Sequence, residues 1–285
     1  MQPVTENIFY ETDYPGVTLG AVILPGGTLI VDAPLRAEDA RAWKSALLTK
    51  SRGAHRMLIS LDAHTDRIIG TRYMECTLLT HREVLNTIKS YTAVFKGQPT
   101  GSSSEWEHYP EVSGTRWFPP NITFSQQMKL HWGGSGIIIE HHPGPDPGAS
   151  WIIIPDEKVL FLGDTILVEQ PPFLATSSLP QWIAAISELR VPRYREYTFV
   201  SGRGGPVGIE YVREQHEHFR WLHRRLESLA ARGAPPEDTE ALIDPYLGKI
   251  NFDPALRNSY AQRLRYGLDR YYRRHYLPEG QETSK

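Results

Sequence analysis

The sequence of 285 residues contains only one cysteine, Cys76. A single thiol cannot form an intrachain disulfide, and it excludes a zinc site built from several cysteines. An excess of positive charge is missing too, because 31 Lys and Arg residues stand against 33 Asp and Glu residues. A near-neutral chain offers no electrostatic argument for nucleic-acid binding. We therefore predict no nucleic-acid partner.

Long apolar runs are also absent from the sequence. No stretch approaches the roughly 18 apolar residues that a membrane-spanning helix needs. The N-terminal residues MQPVTENIFYE lack the basic start and apolar segment of a signal peptide. We therefore expect no membrane partner and, by default, a cytoplasmic protein. The hydrophobic fraction of 40% and the charged fraction of 22% are ordinary for a globular domain.

Strand and helix signals alternate in the first part of the sequence. Apolar, β-branched runs at residues 17–25 and 27–34 flank Pro25-Gly26-Gly27, which is typical of a hairpin. Residues 37–50 have the composition of a helix, and HRMLISLD (55–62) returns to a strand pattern. This order predicts a β-helix-β crossover.

A second passage of the sequence repeats that order. Four strand signals follow one another between turn residues in 122–166, and a helix signal at 179–190 and a strand signal at 195–202 come after them. Two halves of this kind predict an α/β protein in which two packed sheets are covered by helices on the outside.

The C-terminal part of the sequence has a helical pattern. Apolar residues recur at helical spacing from Val212 to Leu229, and Asp253-Pro254 is a suitable N-cap and first turn for a last helix. We predict one domain over residues 1–208 and a C-terminal helical extension over 209–285 that packs on it.

Residues 101–121 are predicted to be a long loop rich in Gly, Ser and Pro. The loop carries the aromatic residues Trp106, Tyr109, Trp117 and Phe118. Aromatic residues in a long loop form either a small satellite core or a lid over a pocket, and both interpretations stay open.

The stretch LDAHTDRIIG places Asp62, His64 and Asp66 at alternate positions, as a metal-binding loop would, and follows them with Arg67. Together with TLIVDAP, HHPGPDPGAS, LFLGDT and VSGRGGP, it resembles in order and rough spacing the metallo-β-lactamase superfamily, over about residues 7–208. The resemblance implies an αββα sandwich with one or two metal ions, usually zinc, in a groove at the sheet edges. There a metal-bound hydroxide attacks the substrate.

The chain departs from the metal motifs of that superfamily. The HxHxDH loop reads DAHTDR, so His64 and Asp66 are kept, whereas Asp62 and Arg67 replace the outer histidines. The PGHTPG turn reads PGPDPG, with proline at the ligand position. The last glycine-rich turn has Arg203 where the resemblance implies a ligand histidine.

The two arginines at these positions exclude an ordinary second metal ion, because a protonated guanidinium has no lone pair to donate. Asp164, which resembles the carboxylate that bridges two metals, is kept. We expect Arg67 and Arg203 to converge on Asp66 and Asp164 and to replace the charge of the second ion. Asp66, Arg67 and Arg203 are the catalytic candidates, with Asp66 as the base or the group that orients water.

The remaining donors predict a reduced metal site. Three carboxylates and two guanidiniums leave about one negative charge, which gives room for one divalent ion. We expect that ion, zinc or manganese, on Asp62, His64 and Asp164 with a bound water, and His142 or Asp146 as a further ligand. The alternative is that no cofactor binds and His64 belongs to a metal-free polar network.

Two classes of function therefore remain open. In the first, the protein is a divergent hydrolase with one metal ion that acts on a small-molecule ester, thioester or phosphoester. In the second, it is a catalytically silent, metal-free protein that binds an anionic ligand or a protein partner through Arg67 and Arg203. No motif in the sequence identifies the substrate.

Overall fold

The computed structural model describes residues 1–132 and 135–277, so the end of the predicted extension, 278–285, lies outside the described residues. In the described part, the strands form two mixed sheets. The first sheet contains, in spatial order, Gln2–Pro3 (β1), Ile8–Glu11 (β2), Leu19–Leu24 (β3), Gly27–Val31 (β4), His55–Ile59 (β5), Thr77–His81 (β6) and Ile122–Phe124 (β7). The second sheet contains Gln127–Trp132 (β8), Ser135–His141 (β9), Ser150–Ile154 (β10), Val159–Phe161 (β11), Thr198–Ser201 (β12) and Gly205–Val207 (β13), side by side in this order.

The α-helices of the described part lie outside the two sheets or close their edges. They are Ala37–Lys50 (α1), Thr65–Ile68 (α2), Arg82–Ser90 (α3), Leu179–Glu188 (α4), Ile209–Ala231 (α5), Ile243–Leu247 (α6) and Arg257–Tyr276 (α7). None of the described helices combines the length and the apolar composition needed to cross a bilayer.

The predicted hairpin and the crossover after it are confirmed. Leu24 pairs with Gly27 across a tight turn, and α1 then leads to β5, which runs parallel to β4. The bounds of α1 are those predicted from composition. Gly27 is required because a Cβ at this position would collide with the carbonyl oxygen of His55 on the neighbouring strand.

The prediction of four strands in residues 122–166 was wrong by one, because the described residues of that stretch form five strands. The chain leaves the first sheet after Phe124 and enters the second at Gln127, so one apolar run supplies an edge strand to each sheet. A strand pattern read from sequence does not show a change of sheet when the break is two residues long.

The two sheets face each other across a core of aliphatic and aromatic side chains. Leu29 and Ile59 of the first sheet pack in the same buried cluster as Ile139 and Phe161 of the second. The outer face of the first sheet is covered by α1 through the fully buried Trp43. The predicted αββα sandwich is therefore confirmed.

The C-terminal helices cover the outer face of the second sheet. Trp182 of α4 and Phe219 of α5 make an edge-to-face contact with ring centroids 4.7 Å apart. Leu268 of α7 belongs to the same buried cluster. The extension thus shares a core with the sheets, and the boundary between residues 208 and 209 stays a prediction.

The carboxyl ends of the parallel strand pairs meet at one edge of the sandwich. Asp32 follows β4, and the LDAHTDRIIG stretch follows β5. Asp164 follows β11 and Arg203 follows β12, which also run parallel to each other. Residues that directly follow strands of both sheets are therefore brought together.

We predict that Phe219→Ala lowers the free energy of unfolding by about 3–5 kcal/mol, because it removes a buried aromatic ring and leaves a cavity. Leu48→Ala on α1, where the side chain is 60% exposed, is the matched control and should change the value by less than about 0.5 kcal/mol. Urea unfolding followed by tryptophan fluorescence measures both. Equal losses in the two variants would show that α5 does not share the core.

Candidate functional site

The loop after β5 is organised by its own polar side chains. Asp62 Oδ1 accepts a hydrogen bond from the backbone N–H of His64 at 2.9 Å. His64 is in turn the N-cap of α2, because its Nδ1 accepts from the backbone N–H of Asp66 at 3.3 Å. This local bonding fixes the start of the short helix α2, whose residues Asp66 and Arg67 are buried in the sandwich.

Arg67 is fully buried and is surrounded by carboxylates. Its Nε donates to Asp62 Oδ1 at 2.9 Å and its Nη2 to Asp164 Oδ1 at 2.5 Å. Its Nη1 donates to Asp32 Oδ2. Burial opposes the charge on this guanidinium, but the three carboxylates outweigh that effect and raise the pKa of Arg67. The side chain is therefore a permanent internal cation.

Arg203 occupies the adjoining position. Its Nε donates to Asp164 Oδ2 at 3.2 Å and its Nη1 to Asp66 Oδ2 at 2.9 Å. Its Nη1 also bonds the carbonyl oxygen of Gly16 at 2.8 Å, and its Nη2 lies 3.2 Å from His64 Nδ1. We call Asp32, Asp62, His64, Asp66, Arg67, Asp164 and Arg203 the charge network.

The expected convergence of the two arginines is observed for Arg203 and needs correction for Arg67. Arg203 bonds both Asp66 and Asp164, as expected. Arg67 bonds Asp164 but not Asp66, because α2 directs its guanidinium towards Asp62 and Asp32. Asp66 instead accepts the backbone N–H groups of residues 105 and 106 at 3.1 and 2.8 Å.

Asp32 belongs to the site but was not predicted from the sequence. The residue ends the strand run in TLIVDAP, and it has a left-handed backbone with φ of 59°. Its backbone N–H bonds Ile59 O at 2.8 Å, and its Oδ1 accepts from Leu61 N at 3.0 Å. One signal in the sequence could have identified Asp32. It is an aspartate at the carboxyl end of a strand, and the neighbouring strand ends in the metal-like loop.

Arg67 and Arg203 oppose the desolvation of the surrounding carboxylates. Burial by itself would raise the pKa of Asp164, but Arg203 and Arg67 outweigh it and hold that pKa at about 2. Burial is the larger effect at Asp32 and raises its pKa to about 7, although the positive charge of Arg67 lowers that pKa. Burial also lowers the pKa of His64, because it disfavours the charged imidazolium.

The side chains that were predicted to bind a metal ion are not arranged to bind one. His64 Nδ1 already faces two N–H donors, and both oxygens of Asp164 accept from guanidiniums. Asp62 Oδ1 likewise accepts from a guanidinium and a backbone N–H. Among residues 1–132 and 135–277, no group of three or more His, Cys, Asp or Glu side chains is arranged to hold a metal ion.

The two further ligand candidates lie in different places. His142 stacks on Trp151 with ring centroids 3.5 Å apart, and its nitrogens face Glu140 and Glu188, so the structure does not bring it to the charge network. Asp146 does lie beside the loop after β5. Burial, followed by the charge of Asp62, raises the pKa of Asp146 to about 7.

A cleft of about 640 Å³ opens next to His64 and Asp146. We call it the aromatic cleft, because its walls include Tyr91, Phe95, Trp106, Trp117, Phe173 and Tyr266. Trp106 also packs in a small cluster with Leu35 and Ile69. The 101–121 loop therefore forms a satellite core and one wall of the cleft at the same time.

Comparison with known proteins identifies the fold. A family model described as Metallo-beta-lactamase superfamily matches residues 79–199. Among solved structures, the stereoselective inverting sec-alkylsulfatase Pisa1 from Pseudomonas sp. has a TM-score of 0.69 at 13% identity, over 98% of this chain and 50% of that protein. This chain thus spans about half the length of the alkylsulfatase.

Two other solved structures match over most of their own length. A metallo-beta-lactamase family protein from Thermus thermophilus has a TM-score of 0.64 at 17% identity, covering 95% of this chain and 94% of that one. The DIM-1 metallo-beta-lactamase has a TM-score of 0.59 at 18% identity, covering 76% and 94% respectively. A search of curated protein sequences found no significant match. At these identities the likeness shows the fold alone.

We predict that Arg67→Ala lowers the free energy of unfolding by about 3–5 kcal/mol, because it leaves three buried carboxylates without their cation. The matched control is Arg213→Ala, since the side chain of Arg213 is 55% exposed and pairs only with Glu210 on the same helix; its effect should stay below about 1 kcal/mol. Chemical unfolding at neutral pH measures both. An Arg67→Ala protein as stable as the wild type would contradict the buried charge network.

The contribution of Asp146 to stability should fall as pH rises from about 4 to about 7. In the folded state Asp146 keeps its proton up to about pH 7, whereas an unfolded aspartate loses it near pH ~4. At this carboxyl group the folded state therefore binds more protons in this interval, and the contribution of Asp146 to the free energy of unfolding decreases with pH. Asp146→Asn should remove this contribution, so that the slope of the free energy of unfolding against pH becomes more positive than in the wild type.

The measurement is urea unfolding at several pH values across that interval. Asp156→Asn, at an exposed position, is the control and should leave the slope unchanged. Asp164 acts in the opposite sense outside this window, because its low pKa contributes stability above pH ~4 that is lost as pH falls towards about 2. An Asp146→Asn slope equal to that of the wild type would contradict the prediction.

Proposed function

We propose that this chain, which has the fold of the metallo-β-lactamase superfamily, binds a small molecule in its aromatic cleft without a metal ion. The observation that carries the proposal is that Arg67 and Arg203 engage the lone pairs a catalytic ion would need. The named relatives include an alkylsulfatase and a β-lactamase, so hydrolases occur within this fold. Fold by itself does not carry their chemistry to this chain.

The charge of the network supports a metal-free state. Arg67 and Arg203 lie where the family resemblance implies the second ion, and they neutralise Asp62, Asp66 and Asp164 in part. A divalent ion would have to break these buried bonds before it gained Asp164 as a ligand, and breaking a buried ion pair is costly. A metal-bound hydroxide therefore has no place in this proposal.

The ligand binds in the cleft and not at the two arginines. Both guanidiniums are buried, and carboxylates, the Gly16 carbonyl and His64 surround them. An anion or a partner protein could not reach them without displacing those groups. This geometry disfavours the alternative hypothesis of an anionic ligand or protein partner bound through Arg67 and Arg203.

The mononuclear hydrolase with zinc or manganese on Asp62, His64 and Asp164 stays a prediction, and metal titration tests it against the proposal. We expect metal-stripped wild-type protein to show no binding of zinc or manganese tighter than ~1 mM by calorimetry. Its melting temperature should be the same with either ion or with a chelator, because only a ligand of the folded state raises stability. Tight zinc binding that His64→Ala abolishes would overturn the proposal.

Replacing one guanidinium should create the missing metal site. In Arg203→His the guanidinium is replaced by an imidazole beside Asp66, Asp164 and His64. The Nδ1 atom of His64 lies 3.5 Å from Asp66 Oδ2 in the wild type. We predict that this variant is less stable than wild type and that zinc raises its melting temperature, because the ion replaces the lost positive charge.

Two companion variants make that result specific. Arg203→Ala removes the guanidinium without adding a ligand and should respond to zinc more weakly than Arg203→His. Arg213→Ala removes an exposed arginine and should not respond. If zinc stabilises none of the Arg203 variants, the guanidinium does not stand in for an ion.

A further inference from the structure

The walls of the aromatic cleft come from three separate parts of the chain. The segment between β6 and β7 supplies Phe95, Trp106 and two further rings, Phe173 follows β11, and Tyr266 belongs to α7. The rings hold one another in place, since Phe95 and Trp106 meet edge to face with centroids 4.8 Å apart. Such prearranged rings suit a flat, aromatic body.

Arg263 of α7 is a buried cation in the lining of this cleft, with only 6% of its surface exposed. Its Nη1 donates to Gln170 Oε1 at 2.9 Å and to the Pro171 carbonyl at 3.3 Å, and its Nη2 donates to the Ser103 carbonyl at 2.9 Å. Its guanidinium also lies over the Phe173 ring, 3.9 Å from the centroid. All these partners are uncharged. Within residues 1–132 and 135–277, Arg263 therefore has no carboxylate partner, unlike the two guanidiniums of the charge network.

Part of the hydrogen-bonding capacity of Arg263 is unused. A guanidinium has five N–H groups, and the Nη atoms use three of them in the bonds to Gln170, Pro171 and Ser103. Nε is buried and bonds no acceptor among the described residues. Nε1 of Trp117, in the wall of the same cleft, is a second buried donor of this kind. Because buried donors without acceptors cost free energy, a ligand that supplies acceptor oxygens is favoured.

The charges around the cleft also favour an anion. Its described lining residues include two cations, the exposed Lys96 and the buried Arg263, and one carboxyl group, that of Asp146. Burial raises the pKa of Asp146 to about 7, so below that pH the group is neutral and can itself donate a hydrogen bond. Burial, followed by the positive charge of Arg203, lowers the pKa of Arg263 to about 10, so its guanidinium is still charged at neutral pH. A nearby anion would stabilise that buried charge.

We infer that the aromatic cleft binds a flat aromatic carboxylate, whose anionic group pairs with Arg263 and whose ring lies between the aromatic walls. This inference rests on the proposed function and adds the chemical class of its ligand. The two oxygens of a carboxylate match the two N–H groups that Arg263 leaves unused, and a guanidinium binds a carboxylate more strongly than a neutral acceptor. The site differs from the charge network, because Arg67 and Arg203 already bond carboxylates of the protein.

A matched set of naphthalene probes tests the inference. 2-Naphthoate, naphthalene-2-carboxamide and 2-(aminomethyl)naphthalene share a ring system and differ in the charge of the head group. Calorimetric titration at about pH 6 keeps the carboxylate probe ionised and Asp146 protonated. A chelator is present throughout, so that no metal ion can bind the carboxylate. We expect 2-naphthoate to bind at least ~10-fold more tightly than the carboxamide, and the ammonium probe to bind most weakly.

Variants of Arg263 assign the head-group contact. Arg263→Gln removes the charge and should reduce the preference for 2-naphthoate over the carboxamide to less than ~2-fold. Arg263→Lys keeps a charge and should retain part of the preference. Arg265→Gln is the matched control, because Arg265 lies on the same helix, is 55% exposed and pairs with Glu240. The control should bind both probes as the wild type does.

A measurement on the wild-type protein does not depend on whether the Arg263 variants fold. The Nε–H resonance of Arg263 is followed by nitrogen NMR during titration. 2-Naphthoate should shift this resonance, because the guanidinium gains an anionic acceptor, whereas the carboxamide at equal saturation should shift it less. Circular dichroism and the melting temperature establish that each variant is folded.

The outcomes distinguish the two proposals. If the carboxamide binds as tightly as 2-naphthoate, the carboxylate inference fails and the metal-free cleft survives. If Lys96→Gln abolishes the preference and Arg263→Gln keeps it, the exposed lysine makes the contact and the inference is overturned. If 2-naphthoate does not bind to the folded wild-type protein, or leaves the Arg263 resonance unshifted, the inference fails, whereas the metal titration judges the proposed function separately.

Discussion

The burial of two guanidiniums among carboxylates is the interaction on which this site depends. Asp32, Asp62 and Asp66 follow strands of the first sheet, whereas Asp164 and Arg203 follow strands of the second. The ion pairs therefore join the edges of the two sheets. Because every partner is shielded from water, each charge needs the others to be tolerated. The network holds the sheet edges together and fixes the polar end of the cleft.

That arrangement changes what the edge of this fold can do chemically. A metal ion acts as a Lewis acid and activates water, whereas a guanidinium offers only charge and hydrogen bonds. Arg203 also contacts His64, because its Nη2 lies 3.2 Å from Nδ1. In the proposed function, hydrogen bonds and aromatic contacts therefore replace the chemistry of a metal ion.

Much of the fold could be predicted from local sequence signals. The hairpin at Pro25-Gly26 and the bounds of α1 follow from turn residues and composition, which act within a few neighbours. The pairing of Arg203 with Asp66 and Asp164 was also expected, since a guanidinium at a ligand position neutralises carboxylates that would otherwise repel one another. The change of sheet between β7 and β8 was missed because a strand pattern in the sequence does not show to which sheet the strand belongs. Asp32 was missed because its role depends on a neighbouring strand.

The sequence by itself determined the donor types, the loss of lone-pair ligands at positions 67 and 203, and the capping of α2 by His64. These are properties of single residues or of close neighbours along the chain. Only the tertiary structure decided which carboxylate meets which guanidinium, that His142 stacks on Trp151, and that three distant segments wall one cleft. Those contacts depend on strand register and helix packing, which bring residues together across long stretches of chain and cannot be derived from local sequence.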